Sequence, residues 1–426
     1  MSALLLAAPT SGAGKTTVTL GLLRALARRN TGVRGAKSGP DYIDPRFHEA
    51  ATGAPCMNLD AWAMTPDRIR SLAAVDAPLL IEGAMGLFDG APPDGKGSSA
   101  DIARILRVPV VLIVDASKTA QSIAPLVAGF AGFAADVKIA GVILNRVGSE
   151  RHEMMLRRAL MPVGIPVLGA IPRSEALTRA SRHLGLVQAR EHPDLEAFLD
   201  QAADTISAAV DLDALMALGT GPRLAQNTPQ MPPPALRIAI AQDQAFAFSY
   251  PHLLADWREQ GAEILPFSPL ADDSVPEADF IYLPGGYPEL HGQTLANAQE
   301  FKKSMKQAAA SGTVIYGECG GYMTLGKSIT DAEGQQHEML GLLDLETSFA
   351  TRKLHLGYRQ VTATDGPFIG TYNAHEFHYA TTLHARGTLL FTAKDAEGAT
   401  LTPMGLQHQN VSGSFAHLID QSNGTI

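Results

Sequence analysis

The segment Pro9-Thr10-Ser11-Gly12-Ala13-Gly14-Lys15-Thr16-Thr17 constrains this chain more than any other. The apolar run Leu4-Leu5-Leu6-Ala7-Ala8 precedes it, and an amphipathic stretch follows at 16–29. A buried strand must therefore turn through glycines straight into a helix. Backbone N–H groups freed by Gly12 and Gly14 can curl around phosphate oxygens at the positive end of that helix. Lys15 is placed to reach the terminal phosphates of a nucleotide, and Thr16 offers a hydroxyl to Mg²⁺. Gly12, Gly14, Lys15, Thr16 and Thr17 are thus candidate ATP-binding residues. The glycine that opens the usual pattern is Pro9 here. No basic stretch precedes the apolar run, so it reads as a first strand and not as a secretory leader.

The pattern continues as α/β. Candidate strands at 3–8, 33–37, 79–83, 109–114, 139–144 and 166–170 alternate with helical patterns at 16–29, 120–133 and 150–160. Such alternation means parallel strands joined by helical crossovers. Gly219, Gly221, Pro222, Pro229 and Pro232-Pro233-Pro234 mark a linker over 219–235. The stretch 193–217 either closes the first domain or bridges the two. A strand at 236–241 opens a second unit. A helix near 250–260, a strand at 279–283, a helix near 295–310 and a strand at 313–316 follow, and the part beyond 340 is richer in β pattern. The expected domains are 1–218 and 236–426, each a mostly parallel sheet flanked by helices.

Composition narrows the class. The chain has 426 residues, 46% of them hydrophobic, and a net charge of −9, which excludes whole-chain disorder and argues against nucleic-acid or membrane binding. No apolar run approaches the roughly 18 residues of a membrane span. Two cysteines, Cys56 and Cys319, build no disulfide framework, and a reducing, cytoplasmic setting is expected.

Acids at the ends of strands complete the first site. Leu79-Leu80-Ile81-Glu82 ends in a carboxylate facing the phosphate loop, and Lys37-Ser38-Gly39-Pro40-Asp41-Tyr42-Ile43-Asp44 ends the second strand. Ligands of open α/β sheets gather at these carboxyl ends. Thr16, Asp44 and Glu82 are the expected Mg²⁺ ligands. Lys37, Asp41, Tyr42 and Asp89 are the candidate substrate residues. Asn145 can read an adenine edge with its amide, and Pro172 can pack on the base.

In the second half, Tyr316-Gly317-Glu318-Cys319-Gly320-Gly321-Tyr322 reads as strand, sharp turn and helix. This suits an exposed nucleophile on a strained turn, with the helix start favouring thiolate. Cys56 lacks this setting and is expected to be buried. Gly285 and Gly286, after another apolar strand, are candidate oxyanion donors. His375, His378 and His417 all compete as the base, and spacing does not rank them. His375 and His378 have zinc-like spacing without an evident third ligand.

A phosphate-loop half and a Cys-elbow half, in this order, resemble the cobyrinate and hydrogenobyrinate a,c-diamide synthases. The resemblance rests on Gly12–Thr17, Gly39–Pro45, Glu82–Gly90, Leu283–Glu289, Glu318–Met323, His375–Tyr379 and Gly413–His417. The first half also looks like dethiobiotin synthetase, and the second is similar to triad-type glutamine amidotransferases of the cobyric acid synthase branch. The implied fold is P-loop NTPase-like, then class I glutamine amidotransferase-like. The resemblance implies Cys319 as glutaminase nucleophile and His417 as its base. Where many relatives carry Glu two residues after the His, this chain has Ile419, so the orienting partner is unassigned. It further implies ATP and glutamine as co-substrates, Mg²⁺, a tetrapyrrole polycarboxylate as acceptor, and compatibility with a homodimer. Phe47–Gly53 and Asn58–Met64 look closer to the group acting on metal-free hydrogenobyrinate than on cobyrinate. The alternatives are another tetrapyrrole such as nickel-sirohydrochlorin, or a regulatory P-loop ATPase with a degenerate second module. Thr10, where partitioning ATPases carry an extra lysine, disfavours the latter. An acidic chain must hold a polycarboxylate with a local basic patch, for which Lys37, Arg46 and Arg173 are the candidates.

Overall fold

A computed structural model describes residues 2–174, 177, 189, 194–225 and 228–422. Two compact units divide the chain at Met1–Pro229 and Gln230–Ile426.

In the first unit seven strands form one sheet: β1 (Ala3–Ala7), β2 (Arg34–Ser38), β3 (Met57–Leu59), β4 (Leu79–Glu82), β5 (Val110–Asp115), β6 (Ile139–Val147) and β7 (Val167–Pro172). All pair in parallel, in the order β3-β2-β4-β1-β5-β6-β7. Every residue of β1 is buried, as its continuous apolar run requires of a central strand covered on both faces. Helices α1 (Lys15–Arg28), α2 (Asp44–Thr52), α3 (Pro66–Leu72), α4 (Ser99–Leu106), α5 (Ile123–Phe133) and α6 (Glu150–Leu160) supply crossovers.

Helices α7 (Leu195–Ala209) and α8 (Leu212–Leu218) then belong to the first unit. Arg24 of α1 pairs with Glu196 and Asp200 of α7, and Arg28 pairs with Asp200 and Asp204. Thus 194–217 closes this unit, while residue 193 lies outside the described residues. The start of the expected linker is docked, since Thr220 bonds reciprocally to Ala3 and the Arg223 N–H donates to Leu106. Residues 226–227 of that linker also lie outside the described ones.

The second unit contains β8 (Arg237–Ala241), β9 (Glu263–Phe267), β10 (Phe280–Leu283), β11 (Val314–Glu318), β12 (Ser328–Thr330), β13 (Gln336–Glu338), β14 (Asp344–Ser348), β15 (His355–Ala363), β16 (Gly370–His378), β17 (Thr381–Arg386), β18 (Thr388–Lys394), β19 (Thr400–His408), β20 (Val411–Ser414) and β21 (Ala416–Gln421). Ten of them form a sheet in the order β21-β16-β15-β18-β19-β20-β11-β10-β8-β9, and β13-β12-β14-β17 form a smaller one. The large sheet is parallel from β9 to β20 and antiparallel from β20 to β21. The parallel expectation therefore describes only the last five strands of that order, β20-β11-β10-β8-β9. Beyond β15 the connections are short, and β15–β16, β18–β19 and β19–β20 are hairpins, too short for the crossover that parallel pairing needs. Helices α9 (Pro251–Glu259), α10 (Gly292–Asn297), α11 (Gln299–Ala310) and α12 (Gly320–Leu325) flank the unit, whose core includes Phe246, Phe267, Leu283, Phe301 and Met305. Among the described residues, no helix is long and apolar enough to cross a membrane.

Candidate functional site

The first unit gathers its chemistry where β1, β2 and β4 end. Gly14 adopts φ 82° at the start of α1, a left-handed conformation that glycine adopts without steric cost. The Lys15 ammonium donates to the Met85 carbonyl at 2.9 Å, and burial lowers its pKa against the pull of Glu82. Register places Lys37 beside Glu82 and Glu82 beside Leu6. The Thr16 hydroxyl donates to Glu82 Oε1 at 2.8 Å and lies 3.5 Å from Asp44 Oδ2. Lys37 Nζ donates to Asp44 Oδ2 at 2.5 Å and to Glu82 Oε1 at 2.9 Å. Thr16, Asp44 and Glu82 thus converge as an all-oxygen set, the donor chemistry a hard cation such as Mg²⁺ takes.

Charge in this cluster is strongly coupled. Burial opposes ionisation of Glu82, but Lys37, His48 and Lys15 outweigh it and hold the carboxyl well below its usual range. Burial and Asp41 push Asp44 up to about 7 despite Lys37. His48, which the sequence reading missed, bonds Glu82 Oε2 through Nε2 at 2.7 Å. Burial disfavours its charge, yet contacts with Cys56 and Glu82 raise it to about 10. His48 stands four residues after Asp44, on the same face of α2. That spacing was the available signal, but α2 itself was not anticipated.

Several expected roles change. Lys37 is 4% exposed and committed to Asp44 and Glu82, so it does not belong to a surface basic patch. Arg46 pairs with Glu49 at 2.9 Å, whereas Arg173 is exposed. Asp41 Oδ1 accepts the N–H groups of Ile43 and Asp44, and so caps α2. Asp89 Oδ2 accepts the Gly86 N–H within its turn, and Tyr42 is buried. Asn145 was expected to read adenine with both ends of its amide. Instead its Nδ2 donates to Ala13 O at 2.8 Å and its Oδ1 accepts the Arg146 N–H, so it fastens the phosphate loop. Arg146 adds a second fastening by donating to Gly12 O while paired with Asp115. Asn145 still lines a pocket with Gly14, Thr17, Arg146, Ile171 and Pro172.

The second unit builds a different site. Cys319 has φ 47°, a strained value for a non-glycine residue, between β11 and α12. Its N–H donates to Ser414 O at 2.8 Å. A Cβ on Gly285 would stand 2.2 Å from His417 Cε1 and 3.3 Å from Cys319 Cβ. Only glycine lets that backbone pass so close to both residues. Gly286 and Pro288 press on Gly320 in the same way. The elbow therefore exists, but its cysteine is 4% exposed because these neighbours cover it. Burial and the nearby Glu289 push the Cys319 thiol up, so the expected lowering by the helix start is not met. His417 is fully buried, and burial with His375 and His378 lowers it to about 3. Burial pushes Glu289 up to about 7, and its Oε2 has no hydrogen-bond partner among the described residues.

His375 lies opposite His417 across the β16–β21 ladder. His378 instead stacks on Phe415 and bonds Glu376. The zinc-like pair is not completed: His375 is outside the group, and the ligand atoms that lie within 4.8 Å of one another are those of His355, Glu376 and His378. Arg359 already occupies Glu376 at 2.9 Å. Cys56 lies buried against His48, 3.4 Å from its Nδ1.

Together the two units define an α/β amidotransferase with its own phosphate-binding domain. Residues 4–187 match the CobQ/CobB/MinD/ParA nucleotide binding domain family, and residues 237–424 match the CobB/CobQ-like glutamine amidotransferase domain family. The chain is 56% identical over 431 residues to the hydrogenobyrinate a,c-diamide synthase of Brucella anthropi, covering 99% of each. It is 52% identical over 429 residues to that of Rhizobium meliloti, covering 99% of this chain and 100% of the relative. It belongs to the cobyrinate and hydrogenobyrinate a,c-diamide synthase family and is a glutamine-dependent, amide-forming ligase.

Proposed function

We propose that the chain converts the a and c carboxylates of hydrogenobyrinate to amides in cobalamin biosynthesis, with ATP and glutamine as co-substrates. The observation that carries this reading is one chain with two sites: Thr16, Asp44 and Glu82 converge beside the phosphate loop, and Gly285 approaches both Cys319 and His417. The proposed domains are 1–218 for ATP and acceptor and 236–426 for glutamine, with 219–235 between them.

In the second domain the Cys319 sulfur attacks the side-chain amide carbon of glutamine. His417 takes the thiol proton and returns it to the leaving ammonia. Backbone N–H groups of Gly285 and Gly286 stabilise the oxyanion, and water then hydrolyses the thioester to glutamate. In the first domain a substrate carboxylate oxygen attacks the γ-phosphorus of ATP, releasing ADP and forming an acyl phosphate. Ammonia attacks its carbonyl carbon, phosphate leaves, and an amide remains. Gly12, Gly14, Lys15, Thr16 and Thr17 hold the phosphates, while Asn145 and Pro172 border the nucleotide pocket. Thr16, Asp44 and Glu82 would hold Mg²⁺, which supplies charge neutralisation to the phosphates when bound. Asp41, Tyr42 and Asp89 remain the proposed acceptor-side residues. A cytoplasmic homodimer belongs to the same proposal.

The test is Cys319→Ser assayed with each nitrogen source. Glutamine-dependent synthesis is expected to vanish and ammonium-dependent synthesis to persist. Equal loss with both would sink the division of labour. Product masses from parallel incubations with hydrogenobyrinate and cobyrinate decide the acceptor.

A further inference from the structure

We propose that Glu318, the residue immediately before the nucleophile, is the carboxylate that orients His417 and steadies its protonated form during glutamine hydrolysis. The inference rests on reading Cys319 and His417 as the glutaminase pair, a reading that Cys319→Ser tests separately.

The geometry comes from strand order. Glu318 ends β11, beside Ser414 of the parallel β20. The chain then enters β21 and carries His417 back over the end of β11. Glu318 Oε2 lies 3.7 Å from His417 Nδ1. The same carboxyl is held from two other sides. Tyr282 donates its hydroxyl to Oε2 at 2.7 Å, and the Leu418 N–H donates to Oε1 at 3.1 Å. Glu318 and His417 are 3% and 0% exposed, so water does not screen them.

Other groups near His417 do not fill this role. Ile419 has the apolar side chain that replaces the usual acid, and its carbonyl accepts from His252. Glu376 is committed to Arg359 and to His378. His375 and His378 oppose a positive charge on His417. The Phe248 backbone also bonds His417, but a neutral peptide supplies no countercharge. Tyr316 stands near Glu318 as a neutral phenol, its pKa raised mainly by burial. An imidazolium formed here, cut off from solvent, needs a buried anion, and Glu318 is placed to be that anion. In serine hydrolases the equivalent acid acts in the same way without taking the proton itself. Glu318 is thus a positioning residue.

Glu318→Gln keeps the shape of the side chain and removes its charge. Glutamine-dependent kcat is expected to fall about 10²- to 10⁴-fold. KM for glutamine and ammonium-dependent synthesis are expected to stay as in wild type. The pH midpoint for alkylation of Cys319 by iodoacetamide is expected to move up, because the thiolate–imidazolium pair loses its anion. Glu318→Asp keeps the charge at shorter reach, and an intermediate kcat with unchanged KM is expected. Wild-type glutaminase rate and alkylation profile in Glu318→Gln would overturn the proposal, as would equal loss with both nitrogen sources. If Glu318→Gln does not fold, Glu318→Asp decides by the same criteria. An intermediate kcat with ammonium-dependent synthesis intact supports the proposal, and wild-type kcat or equal loss overturns it.

Discussion

At the scale of the residue, burial drives Glu318 and His417 toward their uncharged forms. Glu318 is pushed up to about 8 against the pull of Tyr282 and the Leu418 N–H, and His417 is lowered to about 3. The carboxylate is the useful form, so glutaminase kcat/KM is expected to rise with pH through a midpoint near 8 and to level off above it. Stability runs the other way. A carboxyl raised from 4.5 to about 8 by folding stabilises the fold fully below 4.5 and loses that contribution as pH rises through 8. Rate profiles and urea unfolding of wild type and Glu318→Gln check both signs, since the variant should lose both dependences. Cys319, Lys15 and Glu82 were legible because their chemistry needs a particular strand end or turn, which leaves glycines or apolar runs in the sequence. Glu318 stood inside a quoted motif, yet its partner lies 99 residues away in the chain. Only the β11–β20 register and the turn into β21 bring the two together.

At the scale of the element, the helix after the Glu82–Gly90 segment shows how local chemistry holds that loop. Ser98 accepts from the Asp101 N–H, and the Asp101 carboxylate accepts from the Ser98 N–H, so α4 begins with a reciprocal cap. The next residues anchor the loop, as Ser99 donates to Ala84 O and the Ala100 N–H donates to Leu87 O. Ser98→Ala is expected to cost about 1 kcal/mol, and up to about 2. Arg28→Ala on α1 breaks two surface ion pairs and is expected to cost only about 0.2–1 kcal/mol. Denaturant titration of both variants ranks the two effects. Long amphipathic helices such as α1 and α6 were readable from their period. Helix α2 was not, because Asp44-Pro45 reads as a turn as readily as a helix start. The three-residue β3 was missed because its strand state comes from pairing with β2.

At the scale of the whole molecule, the chain has two compact units. Two unfolding transitions are expected by calorimetry. Mg²⁺ with a non-hydrolysable ATP analogue at 100 times its Kd should stabilise one of them by about 2.7 kcal/mol. Lys15→Met should remove that response and leave the other transition in place. Mg²⁺ alone should move neither. The last expectation follows from Lys37, which carries its ammonium on a side chain that cannot diffuse away. A tethered cation acts at an effective concentration that a free ion struggles to match. Between the acids, it offsets their charge and is expected to compete with a lone metal for the same oxygens. A nucleotide that brings its own magnesium and new oxygen ligands shifts that competition. On the proposed reading, such a pocket is expected to respond to metal and phosphate together and not to the metal alone.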